Sequence, residues 1–470
     1  MTVTLDVDSW LAEPARTPHR RVRLHCADGD IAVHPLPHGA ASDGRLALPA
    51  PINAHDHGYG IRTLDFGAHD DALEPWIAHL RLRPPTDPGL EALVAFCRMA
   101  LAGCAGTMHC HNSLNLERLP EEAAAVIAAA RTVGIRLGLS CPLLDASPFV
   151  YGGIDALAGT VPDADIAWLS ERAPRPPPVS EQIATVEHIA RQNTGPLVDI
   201  QFGPIGPQWC SNALLEAIAD ASALSGRRIH MHLLESPRQR THLDARFPQG
   251  IVAYLDEIGF LSDRLTIAHG VQLRPPEIER LAERGVRLAT NPSANLRLRS
   301  GILPDMAVDG GMPWAVGLDG TGLDDDQDIW REMRLFAVLH NGNGLSPAIA
   351  PADIFTAASQ TGPAIIGAPP GADVVAVDWP ALARDALFDE RQTPQARLLG
   401  RMRAEHVTDL VVAGRAIVEG GRLRTVDFPA ARQELASQAR ARSAGFDGKR
   451  TEAARIARIV RAHYRAIGHP

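Results

Sequence analysis

From about residue 46 to residue 368, short apolar runs that end in polar or glycine-rich residues alternate with amphipathic stretches of helical period. This rhythm predicts repeated βα units around a parallel sheet. The predicted strands are Leu46–Ala54, Ala105–Cys110, Ile135–Cys141, Val198–Phe202, Arg228–Leu233, Leu265–His269, Val286–Asn291 and Trp314–Asp319. Eight such units predict an α/β fold, a (β/α)8 TIM barrel. Helical patterns fill the gaps at Glu121–Val133, Glu181–Gln192, Asn212–Leu224, Pro276–Arg284 and Gln327–Leu339, and glycine follows several of them where a C-cap belongs. The proline-rich segment from Glu171 to Ser180 fits neither helix nor central strand and is expected to be a long loop over one barrel face.

Outside the barrel region the pattern changes. Residues 20–45 and 372–427 hold short alternating runs such as Asp373–Asp378, Asp409–Arg415 and Ile417–Gly421. Two β segments that flank a barrel pair most simply into one small unit, so residues 1–47 and 370–428 are expected to form a small β-sandwich domain beside a barrel of residues 48–369. Residues 429–466 are rich in Ala and Arg at helical spacing and predict one terminal helix, within a C-terminal helical extension of residues 429–470.

Composition narrows the function classes. With 46 basic and 55 acidic residues the net charge is −9, and no basic run marks a nucleic-acid surface. The N-terminus has no apolar signal core, and no window approaches the roughly 20 apolar residues needed to span a bilayer. A cytoplasmic protein with no nucleic-acid or membrane partner is expected. The six cysteines include no Cys-x-x-Cys pair and read as buried free thiols. The single lysine is Lys449, so no barrel lysine exists for a Schiff base or for a carbamylated bridging ligand.

The chemistry gathers at the C-terminal ends of the predicted strands, where barrel enzymes keep their active sites. His55 and His57 end strand one, His232 strand five, His269 strand six and Asp319 strand eight, with Glu235 three residues past His232. Residues two apart on a strand face the same side, so His55 and His57 both reach the barrel axis and can hold one ion. Imidazoles with a carboxylate suit Zn²⁺ or Fe²⁺, and a catalytic site keeps one position open for water. A lone His-x-His is a weak signal; ligand types at four strand ends in barrel order are a strong one.

Pro49–Gly58 resembles the strand-one signature of amidohydrolases, and Ile229–Glu235 is similar to their strand-five His-x-x-Glu motif. Ala268–Gly270, Asn291–Leu296, Gly317–Thr321 and Asp328–Arg334 resemble the cytosine deaminase and chlorohydrolase-like branch, which includes deaminases of adenosine-type nucleosides, guanine and pterins, and the triazine hydrolases. The resemblance implies that His55, His57, His232 and Asp319 are ligands of one divalent metal ion, zinc or alternatively iron. It implies that Glu235 shuttles protons and that Asp319 and His269 orient the water and stabilise the addition intermediate, or that His269 instead completes the coordination shell. His230 precedes the matched ligand by two and is expected to be a packed, hydrogen-bonded histidine.

Gln208 and Trp209 occupy the turn that meets substrate in such enzymes, and Trp76 matches a loop tryptophan that walls the pocket. His109 and His111, at the end of strand two, are further candidate pocket residues. The turn Phe202–Ser211 and Thr290 stand where many relatives carry histidine, a departure that points away from nucleoside substrates. The expected function is a metal-dependent aminohydrolase acting on a small amino-substituted nitrogen heterocycle (purine, pterin, pyrimidine or triazine) and working as a homo-oligomer, a dimer or a tetramer. The alternative on the same metal site is hydrolysis of a cyclic amide, dechlorination or dealkylamination.

Overall fold

A computed structural model of the chain describes residues 2–27, 29–40, 42–113, 115–146, 149–320, 327–342, 344–371, 373–387 and 393–469. Two sheets of eight strands organise it. One collects both ends of the chain: β1 (Val3–Trp10), β2 (His19–Ala27), β3 (Asp30–Pro35) and β4 (Leu46–Pro49) come from the N-terminal side. The second sheet is the barrel: β5 (Ile52–Asp56), β6 (Gly106–Cys110), β7 (Arg136–Leu143), β8 (Val198–Pro204), β9 (Ile229–Leu233), β10 (Leu265–His269), β11 (Arg287–Thr290) and β12 (Trp314–Val316) run parallel in sequence order. The first sheet is completed by β13 (Val374–Val377), β14 (Val407–Val412), β15 (Arg415–Glu419) and β16 (Arg422–Leu423). Its N-terminal and C-terminal halves meet where β4 pairs antiparallel with β13, Leu48 opposite Val375, and parallel with β1, Ser9 opposite Leu46.

The single strand expected over Leu46–Ala54 is two. Pro49 and Pro51 flank Ala50, and because neither proline can donate to a ladder the pairing breaks there. β4 joins the small sheet and β5 opens the barrel, so the start of the barrel is tied directly to its neighbour. The eighth strand also ends earlier than expected, at Val316, and Asp319 lies beyond it in the left-handed region with φ 61°. β12 meets β5 through the Leu318 and Asp319 amides, which donate to the His55 carbonyl at 3.0 and 2.9 Å. Gly317 makes this approach possible, since a Cβ there would lie 2.4 Å from Asn291 Oδ1 and 2.7 Å from the His55 nitrogen.

Strand residues that face outward pack against the surrounding helices in a continuous apolar core that includes Phe96, Met108, Phe202, Ile267 and Trp330. All six cysteines are free and buried. Among the described residues no helix is long and apolar enough to cross a membrane. The C-terminal extension is two helices rather than one, Phe428–Ser443 and Asp447–Ala466, broken near Gly445, whose φ is 81°. The second buries Ile456, Ile459, Val460 and Tyr464 against the body, beside the short helix Leu73–His79. As expected, the proline-rich segment is loop up to Pro178.

Candidate active site

The strand ends bring His55, His57, His232, His269, Asp319 and Glu235 to one place. His55 Nε2 and His57 Nε2 stand 3.3 and 3.2 Å from Asp319 Oδ1, and His269 Nε2 stands 4.0 Å from Asp319 Oδ2 and 3.8 Å from Glu235 Oε2. The ligand atoms of His55, His232 and His269 also lie within 4.8 Å of one another. Two donors bound tetrahedrally at about 2.1 Å from one ion are about 3.4 Å apart, so the His55–Asp319 and His57–Asp319 separations fit a shared metal.

The outer nitrogens support this reading. His57 Nδ1 donates to the Cys110 carbonyl at 2.9 Å, His232 Nδ1 to the Ile205 carbonyl at 2.7 Å and His269 Nδ1 to Asn295 Oδ1 at 2.8 Å. His55 Nδ1 lies 2.8 Å from His230 Nε2, and His55 Nε2 is buried with no hydrogen-bond partner. Each ring is thus anchored by Nδ1 with Nε2 left for an ion, the arrangement of metal-binding histidines. His230 is buried and hydrogen-bonded, as expected, and holds the His55 ring through Nδ1. Burial holds His55 and His232 well below the usual histidine range, which keeps them neutral, as ligation requires. Burial opposes ionisation of Asp319, yet the adjacent His55 and His57 rings hold its carboxyl well below the usual range.

Backbone strain concentrates here. Leu234, His269 and Asp319 are non-glycine residues at positive φ, 54°, 72° and 61°, and each follows or ends a barrel strand. Such conformations persist only where the surroundings enforce them. At Leu234 the turn redirects the chain so that Glu235 faces the histidines, and the Glu235 amide is held by Gln239 Oε1 at 2.8 Å. Ser236 then caps the helix Pro237–Arg246, its hydroxyl accepting from the Gln239 amide at 3.1 Å. Burial pushes the Glu235 carboxyl up to about 7, with His269 opposing and Asp319 reinforcing the shift.

A cavity of about 180 Å³ opens above this cluster. Of the residues expected to meet substrate, Trp76, Trp209 and His111 line it; Gln208 and His109 do not. Gln208 folds back on Gly206, buried, with neither amide atom partnered. His109 sits behind His111, its Nε2 3.2 Å from His111 Nδ1, and His111 in turn pairs with Glu122 at 2.9 Å. Thr321, which ends one of the strand-eight signatures, lies outside the described residues.

Sequence reasoning assigned no role to Asn295, although it belongs to the Asn291–Leu296 signature, nor to Glu74, two residues before Trp76. Glu74 is buried and ties the pocket wall to the Glu235 turn: it accepts from Tyr151 Oη at 3.0 Å and from the Ser236 hydroxyl, and it pairs with Arg238. Tyr464 of the last helix accepts from the Tyr151 amide at 3.2 Å. No local signal marks Tyr151 and Tyr464, which are 313 positions apart.

Solved structures share this architecture. A zinc-bound adenosine deaminase from Xanthomonas campestris superposes with a TM-score of 0.77 at 22% identity, covering 94% of this chain and 98% of that one. A guanine deaminase from C. acetobutylicum with guanine bound gives 0.70 at 15% identity, over 88% and 100% of the two chains. At these identities the likeness is one of fold. In sequence, the chain is similar to the 5-methylthioadenosine/S-adenosylhomocysteine deaminase of Syntrophobacter fumaroxidans, 29% identical over 454 residues, 91% of this chain and 93% of that one. It is 34% identical to the enzyme of that name from Thermococcus kodakarensis, over 186 residues that make up 39% of this chain and only 44% of the relative. The family model described as "Amidohydrolase family" matches residues 46–417, which run from β4 through the whole barrel to β15 and take in every strand-end residue of the site; the chain belongs to the amidohydrolase family.

Proposed function

We propose that this chain is a metal-dependent aminohydrolase that releases ammonia from a small amino-substituted nitrogen heterocycle. The observation that carries the reading is the placement of Glu235, 3.8 Å from His269 and facing the His–Asp cluster from the cavity side. His55, His57, His232 and Asp319 would hold one divalent ion, zinc by the chemistry of three imidazoles and a carboxylate. When bound, such an ion acts as a Lewis acid and lowers the pKa of water towards neutrality.

The protein's own groups do the rest. Glu235 accepts a proton from water and returns it to the ring nitrogen, then assists its transfer to the departing amine; a carboxyl with a pKa near neutrality suits such a role in both directions. His269, oriented by Asn295, contacts the oxygen that adds to the ring carbon. Asp319 would help to orient that oxygen. Trp76 and Trp209 present flat faces and buried indole N–H groups without protein partners, so they can stack on a heterocycle and donate to its edge.

The sequence likeness to deaminases of adenosine derivatives supports a purine among the candidate rings. Assaying ammonia release from adenosine derivatives, free purines, pterins, pyrimidines and aminotriazines, with metal content measured on the same sample, tests reaction and cofactor together. Release of chloride or of a ring-opened acid, with no ammonia from any member of the panel, would replace deamination by another hydrolysis on this site. The reading carries with it a cytoplasmic homo-oligomer, which gel filtration and cell fractionation test.

A further inference from the structure

A second, larger groove of about 1040 Å³ lies on the far side of Gly60, between the segment 60–67, the helix Pro88–Leu101 and the two C-terminal helices. Its cationic lining consists of Arg62, Arg98, Arg432, Arg440 and Arg450, against a single acid, Asp65. This concentration runs against the chain's net charge of −9. Among the described residues, Arg62, Arg98, Arg432 and Arg440 form no ion pair, while Arg450 pairs with Asp447 at 2.8 Å. Arg98 is half-buried at the base of the groove, and its guanidinium donates only to the Gly60 carbonyl, at 2.8 Å. Burial, reinforced by the charges of Arg62 and Arg432, pushes Arg98 down to about 10.

A half-buried guanidinium set among other cations, with only Asp65 against them, is favoured by an added anion. An ordinary solvated basic face arises from one helix surface. Here the guanidiniums come from four separate segments and converge on one concavity.

We propose that this groove binds a nucleoside polyphosphate. Guanidinium forks match phosphate oxygens in pairs, and Arg is preferred wherever such planar recognition is needed. Leu64, Phe66, Leu435 and Phe446 line the same groove and offer an apolar bed for a base. The volume, about 1040 Å³, lies at the upper end of the range of small-molecule sites.

The groove and the catalytic cavity are lined by adjacent residues of the chain, Gly60 and Tyr59. Gly60 is pinned between helices, since a Cβ there would lie 2.5 Å from Leu435 and 2.6 Å from the Glu91 carbonyl, and it follows Tyr59, which lines that cavity.

Calorimetric titration of the metal-loaded full chain with phosphate, pyrophosphate and ATP tests the proposal. Affinity is expected to rise with the number of phosphates, to fall with salt, and to drop at least about 10-fold in Arg432→Glu and Arg98→Met. Arg432 is exposed, so Arg432→Glu keeps the test valid even if Arg98→Met folds poorly. It is also absent from the catalytic cavity, which separates binding here from chelation of the active-site metal. Absence of ATP binding, or unchanged ATP binding by Arg432→Glu, would overturn the proposal. So would a dimer that dissociates in Arg432→Glu without any polyphosphate bound, which would make the groove a contact between copies.

Discussion

The floor and the wall of the catalytic cavity are built on different principles. On the floor, each imidazole comes from a barrel strand end, and each has its outer nitrogen bonded to another group of the protein: Cys110 and Ile205 carbonyls, Asn295, or His230. The wall is made of pieces with no such common frame. Trp76 sits on a seven-residue helix and packs with Leu73, Ala294 and Leu298, whereas Trp209 sits on a single 3-10 turn backed by Tyr151 and the C-terminal helix. The outer ring nitrogens of His55, His57, His232 and His269 are committed to protein partners, whereas the indole N–H groups of Trp76 and Trp209 have none. A rigid, satisfied floor fixes one chemistry; a wall assembled from loops and a terminal helix leaves ring selectivity adjustable.

The largest effect should come from breaking the floor. In His232→Ala, metal content and turnover should both fall to background, and chelation of the wild type should do the same until a divalent ion is restored. A metal-replete, active His232→Ala protein would remove this residue from the ligand set. Glu235→Gln should keep the metal but lose about 10²–10⁴-fold in kcat, because the amide cannot accept and return a proton. Asn295→Ala frees His269 Nδ1 and should cost about 10–100-fold in metal affinity or activity, the usual effect of losing an outer-shell partner.

Wall substitutions should act on KM. Trp76→Ala should weaken substrate about 10-fold, equivalent to roughly 1.4 kcal/mol, while Gln208→Ala should leave KM nearly unchanged because its side chain lies behind the wall. Equal effects of the two would dissolve the distinction between lining and backing. The smallest change should follow Arg461→Ala, which removes the ion pair between the last helix and Asp71, next to the Trp76 helix. A partly exposed pair of this kind contributes about 0.2–1 kcal/mol, to be read from denaturant midpoints.

How far the sequence carried depends on where each residue's partners lie along the chain. The period of apolar runs determines strands and helices locally, so the eight barrel strands, their order and the strand-end histidines were legible without coordinates. His55, His57, His232, His269 and Asp319 could be grouped because a parallel barrel places every strand's C-terminal end on one face, a rule of topology rather than of contact. Asn295 stood inside a visible signature but lacked a role, since pairing with His269 requires knowing how the loop after β11 folds back.

What only the tertiary structure decided are contacts between distant loops. Nothing local links Glu74 to Ser236, or Tyr151 to Tyr464, and nothing local says that Gln208 turns inward while Trp209 turns to the cavity. The division of Leu46–Ala54 between two sheets was likewise hidden, because one apolar run satisfies either pairing until the prolines are set against their neighbours. Strands and helices satisfy their backbone by short-range rules that a sequence displays, whereas loops find hydrogen-bond partners wherever the assembled fold happens to place them.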